Sequence, residues 1–467
     1  MSEPLVTVYI TNHNYARYLR QSIESVLGQK FTDFELIIID DGSTDGSLEI
    51  LTEYERHPQV RIVSQENHGL TVANNIALRM ARGRYIVRLD ADDYFDENAL
   101  LVMSNYLERH PDVGLVFPDY YTVDAAGEII ALQRRHDFQQ DVTLYDQPAH
   151  GAGTMIRREC LLALGGYNEQ FSRQDGYELW LRFIQQYQVA NVNLPLFCYR
   201  RHPTSLTRDE AGLLETRGQI MAHTLRAEKP LDVVCLIPVR GTQLDPDSVI
   251  FRQLGGRPVI DFTIEAALDA QGVSETVVIT SDTGAIEYVR NGFGDRVMVI
   301  ERPVHLSRMN TPLEATVEYG LREWTAQRGR EPEALLMLYA EAPFRNAHHV
   351  DMAIHALQLF STDCVVAVRP HQEVFYQHNG AGMVAIQKSR TLRLERESLY
   401  RETAGMHLVR TAFFREHGRV VGGQIGHIVV DAKAGIVIRS EFDMELAQRL
   451  AARAEARAPH SAFAEDV

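Results

Sequence analysis

Hydrophobic and polar positions form two kinds of pattern along the first ninety residues. Short apolar runs rich in β-branched residues predict strands, and the amphipathic stretches between them predict helices. The predicted strands are Val6–Thr11, Phe34–Asp40, Val60–Ser64 and Arg84–Asp90, and the predicted helices lie around Tyr18–Leu27, after Ser43 and around Leu70–Met80. This alternation indicates a mostly parallel sheet covered by helices on both faces. In such sheets ligands bind beyond the carboxyl ends of the strands.

A second alternation of the same kind follows a charged, helix-prone stretch. Its predicted strands are Asp232–Pro238, Glu275–Ser281, Val297–Glu301, Ala334–Tyr339 and Asp363–Val368, and its predicted helices are Val259–Ala270, Pro312–Thr325 and His349–Leu359. We therefore expect two tandem Rossmann-like α/β domains, at residues 1–209 and 230–455, joined by a helical linker at 210–229. We expect the Ala- and Pro-rich residues 456–467 to form a flexible tail.

Composition and charge narrow the classes of protein to consider. Hydrophobic residues make up 45% and charged residues 24% of the 467 residues, which is typical of globular domains. The formal net charge of -16 argues against a nucleic-acid partner. No apolar run approaches the roughly 20 residues that span a bilayer, and the N-terminus lacks the features of a signal peptide, so we expect a cytoplasmic protein. The widely spaced cysteines predict neither a zinc site nor a disulfide framework.

Three acidic clusters in the first predicted domain each lie where a strand is expected to end. They are Asp40–Asp45, Asp90–Asp93 and the pair Gln174-Asp175 before Glu178. Any one of them is explained as well by a turn or a helix cap. Together they favour chemistry, because two carboxylates one residue apart can hold a divalent cation that bridges phosphates. Asp175, just before a helix predicted at Tyr177–Tyr187, has the position and charge of a general base.

The order of these motifs resembles the inverting family 2 glycosyltransferases with the GT-A fold. The motifs are Thr11-Asn12-His13-Asn14-Tyr15, Asp40-Asp41-Gly42-Ser43-Thr44-Asp45, Leu89-Asp90-Ala91-Asp92-Asp93 and Glu178-Leu179-Trp180-Leu181-Arg182. The resemblance implies that Asp92 and His202 bind Mn²⁺ or Mg²⁺ and that Asp175 is the catalytic base. It implies nucleotide contacts from Thr11, Asn14, Asp40, Asp41 and Asp90, and phosphate contacts from Arg200 and Arg201. Two positions depart from the family pattern, since Gln174 stands where Glu is common and Asn74 where Arg is common.

The second predicted domain resembles the cytidylyltransferases that make CMP-activated acidic sugars, of the CMP-acylneuraminate and CMP-Kdo synthetase type. The resemblance lies in Ile237-Pro238-Val239-Arg240-Gly241, Leu254–Ile260 and Phe442–Ala447. The sequence differs from that family at the positions that carry its chemistry. Gln243-Leu244 and Val249-Ile250 occupy the positions of that family's lysines, and Val437-Ile438-Arg439 occupies the positions of its two metal-binding aspartates. We therefore predict a domain without catalytic activity, with roles in dimerisation, acceptor positioning or sugar-nucleotide binding.

These observations predict an inverting, metal-dependent transferase. It would move a sugar from a nucleoside diphosphate, with UDP favoured, to a hydroxyl of a glycan, lipid-linked or protein acceptor. A homodimer formed through the second domain is one expected assembly. Two alternative hypotheses stay open: a bifunctional CMP-sugar synthetase and glycosyltransferase, and a non-catalytic scaffold that binds sugar nucleotides.

Overall fold

The computed structural model describes most of the chain in two compact units. The described residues are 3–134, 136, 142–143, 148–202, 209–242, 245–308, 310–371, 373, 375–380, 382–386 and 399–457, with the side chains of 453–457 left aside. The first unit comprises Met1–Ile220 and Val374–Glu397, and the second comprises Met221–Glu373 and Ser398–Val467. The departure predicted at Gln243-Leu244, and the tail from residue 458 onwards, lie outside the described residues.

The first unit is built on one mixed sheet. Its strands are β1 (Val6–Asn12), β2 (Phe34–Asp41), β3 (Val60–Gln65), β4 (Tyr85–Asp90), β5 (Tyr94–Phe95), β6 (Val113–Val123), β7 (Ile129–Gln133), β8 (Met155–Arg157) and β9 (Gln188–Arg200). Its helices are α1 (Ala16–Leu27), α2 (Ser47–Thr52), α3 (Leu70–Met80), α4 (Ala99–Arg109), α5 (Arg158–Ala163), α6 (Asp175–Phe183) and α7 (Glu210–Thr224), the last of which runs past the unit's boundary. The strand order is β3-β2-β1-β4-β8-β6-β9-β5, with β7 paired to β6.

Alternation along the central strands decides which side chains form the core and which face the other way. Val87 and Leu89 of β4 pack with the apolar faces of α1 and α4 in one buried cluster. Burying each such side chain stabilises the fold by about 1.5–3 kcal/mol. Because side chains alternate between the faces of a strand, Arg88 and Asp90 lie on the opposite face. The strand that supplies the core therefore also carries charged groups towards its carboxyl end.

The second unit contains a sheet of its own. The strands of this unit are β10 (Val233–Pro238), β11 (Gln253–Leu254), β12 (Arg257–Pro258), β13 (Val273–Thr280), β14 (Val297–Glu301), β15 (Ala334–Leu338), β16 (Cys364–His371), β19 (Leu399–Arg410) and β20 (Ile425–Val429). Strands β11 and β12 form a separate two-stranded sheet, and the hairpin of β17 (Tyr376–His378) and β18 (Met383–Ala385) lies in the segment that belongs to the first unit. The helices of the second unit are α8 (Val259–Leu268), α9 (Thr283–Phe293), α10 (Leu313–Arg328), α11 (Ala347–Leu359), α12 (Thr411–His417) and α13 (Glu441–Arg457). The order in the sheet is β14-β13-β10-β15-β19-β16-β20.

The two units share one sheet topology over the described residues. In each, four parallel strands run in the order third, second, first, fourth, counted along the chain of that unit. An antiparallel strand follows, β8 in one and β19 in the other, and then two strands that are parallel to each other. The predicted fold class, α/β with mostly parallel sheets, is confirmed.

One predicted boundary was wrong. The helix predicted at Tyr177–Tyr187 runs from Asp175 to Phe183, so Asp175 belongs to its first turn instead of preceding it. The residue before it, Gln174, has a left-handed backbone with φ of 58°, which ends the preceding loop and sets the start of α6. Over the described residues, no helix combines the length and the apolar composition that crossing a membrane requires.

Candidate functional site

A cleft of about 700 Å³ opens in the first unit at the carboxyl ends of its parallel strands. Strand register brings these ends level, since Thr11 pairs with Asp90 and Asn12 with Asp40. Of the residues predicted to form the site, those that line the cleft are Thr11, Asp41, Asp90, Asp92, Asp175 and Arg201. The cleft lies where open α/β sheets bind ligands.

The carboxylates at the end of β4 and just after it lie close to one another, with Asp93 buried and Asp90 and Asp92 partly exposed. Burial raises the pKa of Asp90 to about 6, and the charges of Asp92 and Asp175 add to this effect while Arg88 opposes it. Burial and the charges of Asp92 and Asp90 also raise the pKa of Asp93. Within the described residues, Oδ1 of Asp90 and Oδ2 of Asp93 are buried acceptors without a hydrogen-bond partner. The cluster therefore holds more negative charge than its protein neighbours balance.

Asp92 and His202, the two predicted metal ligands, are in contact. Nε2 of His202 lies 2.8 Å from Oδ2 of Asp92, and the His202 side chain is only 2% exposed. The rings of Tyr15 and Tyr18 pack against the imidazole. In the described part of the chain, no group of three His, Cys, Asp or Glu side chains has metal-binding geometry. Two protein ligands still fit Mg²⁺ or Mn²⁺, because such ions commonly bind one or two carboxylates together with substrate phosphates.

Asp175 is held by two donors from neighbouring elements. Its Oδ2 atom accepts hydrogen bonds from Nη1 of Arg88 and from Nδ2 of Asn74, the latter at 3.0 Å. The described residues offer no hydrogen bond to its other oxygen, Oδ1, and the side chain lines the cleft while 8% exposed. One carboxylate oxygen is therefore fixed and the other is available to a ligand.

Arg88 is the site residue that sequence reasoning missed. Its guanidinium lies between Asp175 and Asp90, with Nε 3.0 Å from Oδ1 of Asp90 in an ion-pair contact that lacks hydrogen-bond geometry. The sequence contains a sign of this role, because an arginine interrupts the apolar run Tyr85–Leu89 of a strand buried on both faces. A buried arginine needs ionic or hydrogen-bonding partners that replace its lost hydration.

Two residues predicted to bind the nucleotide, Asp40 and Asn14, form hydrogen bonds that hold the loops around the cleft. Asp40 is 1% exposed and accepts hydrogen bonds from Nδ2 of Asn12 and the backbone N–H of Ser43. The side-chain oxygen of Asn14 accepts from the backbone N–H of Thr44 at 2.7 Å. Neither Asp40 nor Asn14 lines the cleft over the described residues.

Asp41 lines the cleft and also organises it. Its carboxylate accepts hydrogen bonds from Nε2 of Gln65 and from the backbone N–H groups of His68 and Gly69. These bonds hold residues 67–69 against the end of β2. Loop and carboxylate together form one wall of the cleft, to which His13 and Asn67 also contribute.

The two arginines after β9 differ in their surroundings. The guanidinium of Arg200 is fully used inside the fold, because it donates to the backbone carbonyls of Asp92, Asp124 and Ala125 and to the side chain of Gln21. Those bonds explain why Arg200 is not among the described residues that line the cleft, and its role as a phosphate ligand stays a prediction. Arg201 is exposed and lines the cleft near Asp92, and in the described chain no ion pair engages its guanidinium.

An aromatic wall, unpredicted from the sequence, lines another part of the cleft. The rings of His150 and Tyr199 lie 4.7 Å apart, and Tyr120 packs against both. Helix α7, predicted as a linker, also reaches the cleft through Leu213 and Arg217. Nε of Arg217 donates to Oε1 of Gln174 at 2.8 Å, and its guanidinium lies over the ring of Tyr177.

The first unit is similar to known glycosyltransferases. The model of the family "Glycosyl transferase family 2" matches residues 7–161. The chondroitin synthase of Escherichia coli is 32% identical over 199 residues, which are 42% of this chain and 29% of that protein, so the match spans less than a third of its length. The putative glycosyltransferase EpsE of Bacillus subtilis is 32% identical over 213 residues, which are 44% of this chain and 77% of that protein. The structure of S. aureus TarS 1–349 in complex with UDP-GlcNAc aligns with a TM-score of 0.41 and 17% identity, over 48% of this chain and 67% of that one.

The residues that the family model matches include much of the cleft, whereas Asp175 and Arg201 lie beyond them. Residues 7–161 contain β1 to β4 and the carboxylates that follow them, and the match with EpsE covers more than three quarters of that protein. Through its first unit, the chain belongs to glycosyl transferase family 2.

Proposed function

We propose that the first unit is an inverting glycosyltransferase that moves a sugar from a nucleoside-diphosphate donor to an acceptor hydroxyl. One observation carries the proposal: four carboxylates from three separate segments, Asp41, Asp90 with Asp92, and Asp175, line a single cleft at the carboxyl ends of parallel strands. A scaffold protein would have no need for the unbalanced negative charge around Asp90. That charge fits a site whose ligand brings a cation.

Asp175 acts as the general base in this proposal. Its open oxygen, Oδ1, takes the proton of the acceptor hydroxyl while that hydroxyl attacks the anomeric carbon, and the bond to the diphosphate breaks on the opposite side. Attack from the opposite side inverts the anomeric configuration. The bonds from Arg88 and Asn74 to Oδ2 keep the carboxylate aimed at the cleft.

Asp92 and His202 would hold Mn²⁺ or Mg²⁺, which stabilises the negative charge on the departing diphosphate. Arg201 adds a cation to the same region of the cleft and contacts a phosphate oxygen. Thr11 and Asp90 face the ribose, and Asp41 accepts a hydrogen bond from N3–H of uracil. UDP is the favoured carrier, although guanine N1–H and thymine N3–H would also donate to a carboxylate.

The acceptor binds against the aromatic wall. Rings such as those of Tyr120 and Tyr199 offer apolar faces to a sugar while their hydroxyls reach water. The name of the relative from E. coli, chondroitin synthase, supports a glycan as this acceptor. Lipid-linked and protein acceptors remain the alternatives for the assay.

The stereochemistry of the released sugar tests the proposal. Incubating the protein with an α-linked UDP-sugar and Mn²⁺ should release UDP, with water as the acceptor, and proton NMR should show the β-anomer forming first. An α-anomer as the first product would contradict inversion. Absence of UDP release from every UDP-sugar tested, with glycan acceptors included, would support the scaffold hypothesis instead.

Nucleotide choice can be measured without knowing the sugar. UDP with Mn²⁺ should raise the unfolding temperature more than GDP or dTDP, because a ligand stabilises the state to which it binds. An Asp92→Ala variant should lose the part of this shift that depends on Mn²⁺. An equal shift for all three nucleotides would remove the preference for uracil.

The second unit, in our proposal, has the cytidylyltransferase-like fold without that activity. The strand topology that it shares with the first unit supports a related nucleotide-binding ancestry. Arg439 occupies one of the positions where the resembling family carries a metal-binding aspartate, and a cation there opposes metal binding. We assign this unit a role in dimerisation, acceptor positioning or nucleotide binding without turnover.

A further inference from the structure

Arg88 is buried to an extent that is rare for an arginine. Its side chain is 5% exposed and lies on the face of β4 that also carries Asp90. Removing a charged group from water costs several kcal/mol unless ionic partners and hydrogen bonds replace the lost hydration. The buried carboxylate of Asp175 and the partly exposed carboxylate of Asp90 provide that replacement, so the position of Arg88 depends on both.

The contacts of Arg88 fix its guanidinium in one orientation. Nη1 bonds to Oδ2 of Asp175 and Nε lies 3.0 Å from Oδ1 of Asp90. The third nitrogen, Nη2, lies against the backbone of Gly151, where an added Cβ atom would approach it to 2.8 Å. A planar guanidinium that contacts both carboxylates links the position of one to that of the other.

We propose that Arg88 is a positioning residue that holds Asp175 and Asp90 in one rigid frame. The inference rests on the proposed function, in which Asp175 is the base and Asp90 contacts the donor. Because the two carboxylates come from α6 and β4, their separation would otherwise depend on how the helix packs on the sheet. The guanidinium joins them directly, and the base thereby keeps its distance from the bound donor.

Asn74 supports the same carboxylate from another element. It lies in α3, and its Nδ2 atom donates to the oxygen of Asp175 that also accepts from Arg88. An amide can orient a carboxylate but cannot balance its charge. We therefore expect Asn74→Ala to slow transfer less than Arg88→Gln does.

A double-mutant cycle tests the proposal in the full-length protein. The rate of UDP release from a UDP-sugar with Mn²⁺ is measured for the wild type, Arg88→Gln, Asp175→Asn and the double variant. We expect Arg88→Gln to lower kcat roughly 100-fold and to change KM for the donor less than about threefold, because misplacing a reacting group costs rate more than binding. The double variant should be no slower than the slower single variant, since both changes remove one unit.

Two further variants separate positioning from general stability. Arg88→Lys keeps the charge but cannot reach both carboxylates at once, so it should recover part of kcat. Arg157→Gln is the matched control, because Arg157 is equally buried but donates to the backbone carbonyls of Val113, Leu107 and His110. It should lower the unfolding temperature and leave kcat of the folded protein unchanged.

The outcomes distinguish the two proposals. Two results would overturn the role of Arg88 without affecting the proposed transferase activity. One is a loss of kcat in the double variant equal to the product of the two single losses, and the other is a kcat for Arg88→Gln like that of Arg157→Gln. A wild type that releases no UDP overturns both. If Arg88→Gln does not fold, a kcat for Arg88→Lys equal to that of the wild type contradicts the proposal, and a reduced kcat with unchanged donor KM supports it.

Discussion

Two carboxylates of the first unit, those of Glu35 and Asp90, have opposite electrostatic surroundings. Glu35 is buried, yet hydrogen bonds from Arg82 and the Thr7 hydroxyl outweigh the cost of its burial and lower its pKa. For Asp90, burial and the neighbouring carboxylates prevail and raise the pKa to about 6. Glu35 therefore stabilises the fold, whereas the charge at Asp90 remains to be balanced by a ligand. Such unbalanced charge is typical of functional sites.

Replacing Glu35 by Gln should destabilise the protein in a pH-dependent way. At pH 7 the free energy of unfolding should fall by about 2 kcal/mol, because a buried charge-assisted hydrogen-bond network is lost. The folded pKa lies below the unfolded value, so this stabilisation is present above the unfolded pKa near 4.5 and disappears as the pH falls through the folded pKa.

Denaturant titration from pH 7 to pH 3 measures this difference. The gap between wild type and Glu35→Gln should narrow towards pH 3. The matched control is Glu53→Gln, which breaks the exposed ion pair with Arg20 and should change stability little at any pH. A gap that stays constant with pH would show that Glu35 acts through packing instead of charge.

Site residues were predictable from the sequence where chain position alone determined their place. Asp90 and Asp92 follow a strand whose apolar run is evident, so the carboxyl end of that strand was expected to carry them. Arg88 was missed because its role depends on a partner, Asp175, 87 positions away along the chain. Arg200 was predicted to face phosphate because sequence shows the charge but not the carbonyl groups that surround it.

At the scale of secondary structure, the start of α6 depends on close contact between two backbones. An added Cβ on Gly176, in the first turn of α6, would lie 2.9 Å from Cα of Gly151. Gly176 follows Asp175 in the chain, and Gly151 lies beside the guanidinium of Arg88. Separating the two backbones would therefore move Asp175 or Arg88. The two glycines therefore set the distance between the proposed base and its arginine.

Substituting Gly176 by Ala should slow transfer more than it weakens the fold. We expect kcat to fall roughly tenfold or more, because displacing a catalytic group by about 1 Å can cost as much as 100-fold in rate. Gly292→Ala is the control: Gly292 lies in α9 with nothing within 4 Å of an added Cβ, and Ala there should stabilise the helix by up to about 1 kcal/mol. Equal kcat values for Gly176→Ala and the wild type would contradict this role.

The predicted bounds of strands were most accurate where the hydrophobic pattern of the sequence is regular. Strands β1 to β4 are short and rich in β-branched residues, and the structure confirms them to within about one residue at each end. The predictions did not extend to β9, whose sequence mixes Asn191, Asn193 and Pro195 with apolar residues. Its pairing with β6 also contains register shifts, so tertiary contacts rather than local pattern determine it.

For the molecule as a whole, one topology carries two different sets of side chains. The first unit places carboxylates after its fourth parallel strand, at Asp90 and Asp92. The second unit places Tyr339, Ala340 and Glu341 after its own fourth strand, β15. A shared sheet order therefore does not imply a shared reaction, because function depends on the groups at the strand ends.

The second unit should not release pyrophosphate from CTP. Incubation with CTP, Mg²⁺ and either N-acetylneuraminate or Kdo should give no pyrophosphate above background, because the metal-binding aspartates of the resembling family are absent. A working cytidylyltransferase of that type, assayed in parallel, is the positive control. Pyrophosphate release at a comparable rate would establish the bifunctional hypothesis in place of ours.

The most direct test of the central claim is the rate of UDP release by the wild type, Asp175→Asn and Asp92→Ala, each with Mn²⁺ and with EDTA. We predict turnover by the wild type that EDTA abolishes. We also predict a kcat at least about 100-fold lower for Asp175→Asn, with donor KM little changed, and loss of Mn²⁺ dependence for Asp92→Ala. Wild-type rates from Asp175→Asn, or full Mn²⁺-dependent turnover by Asp92→Ala, would contradict the account.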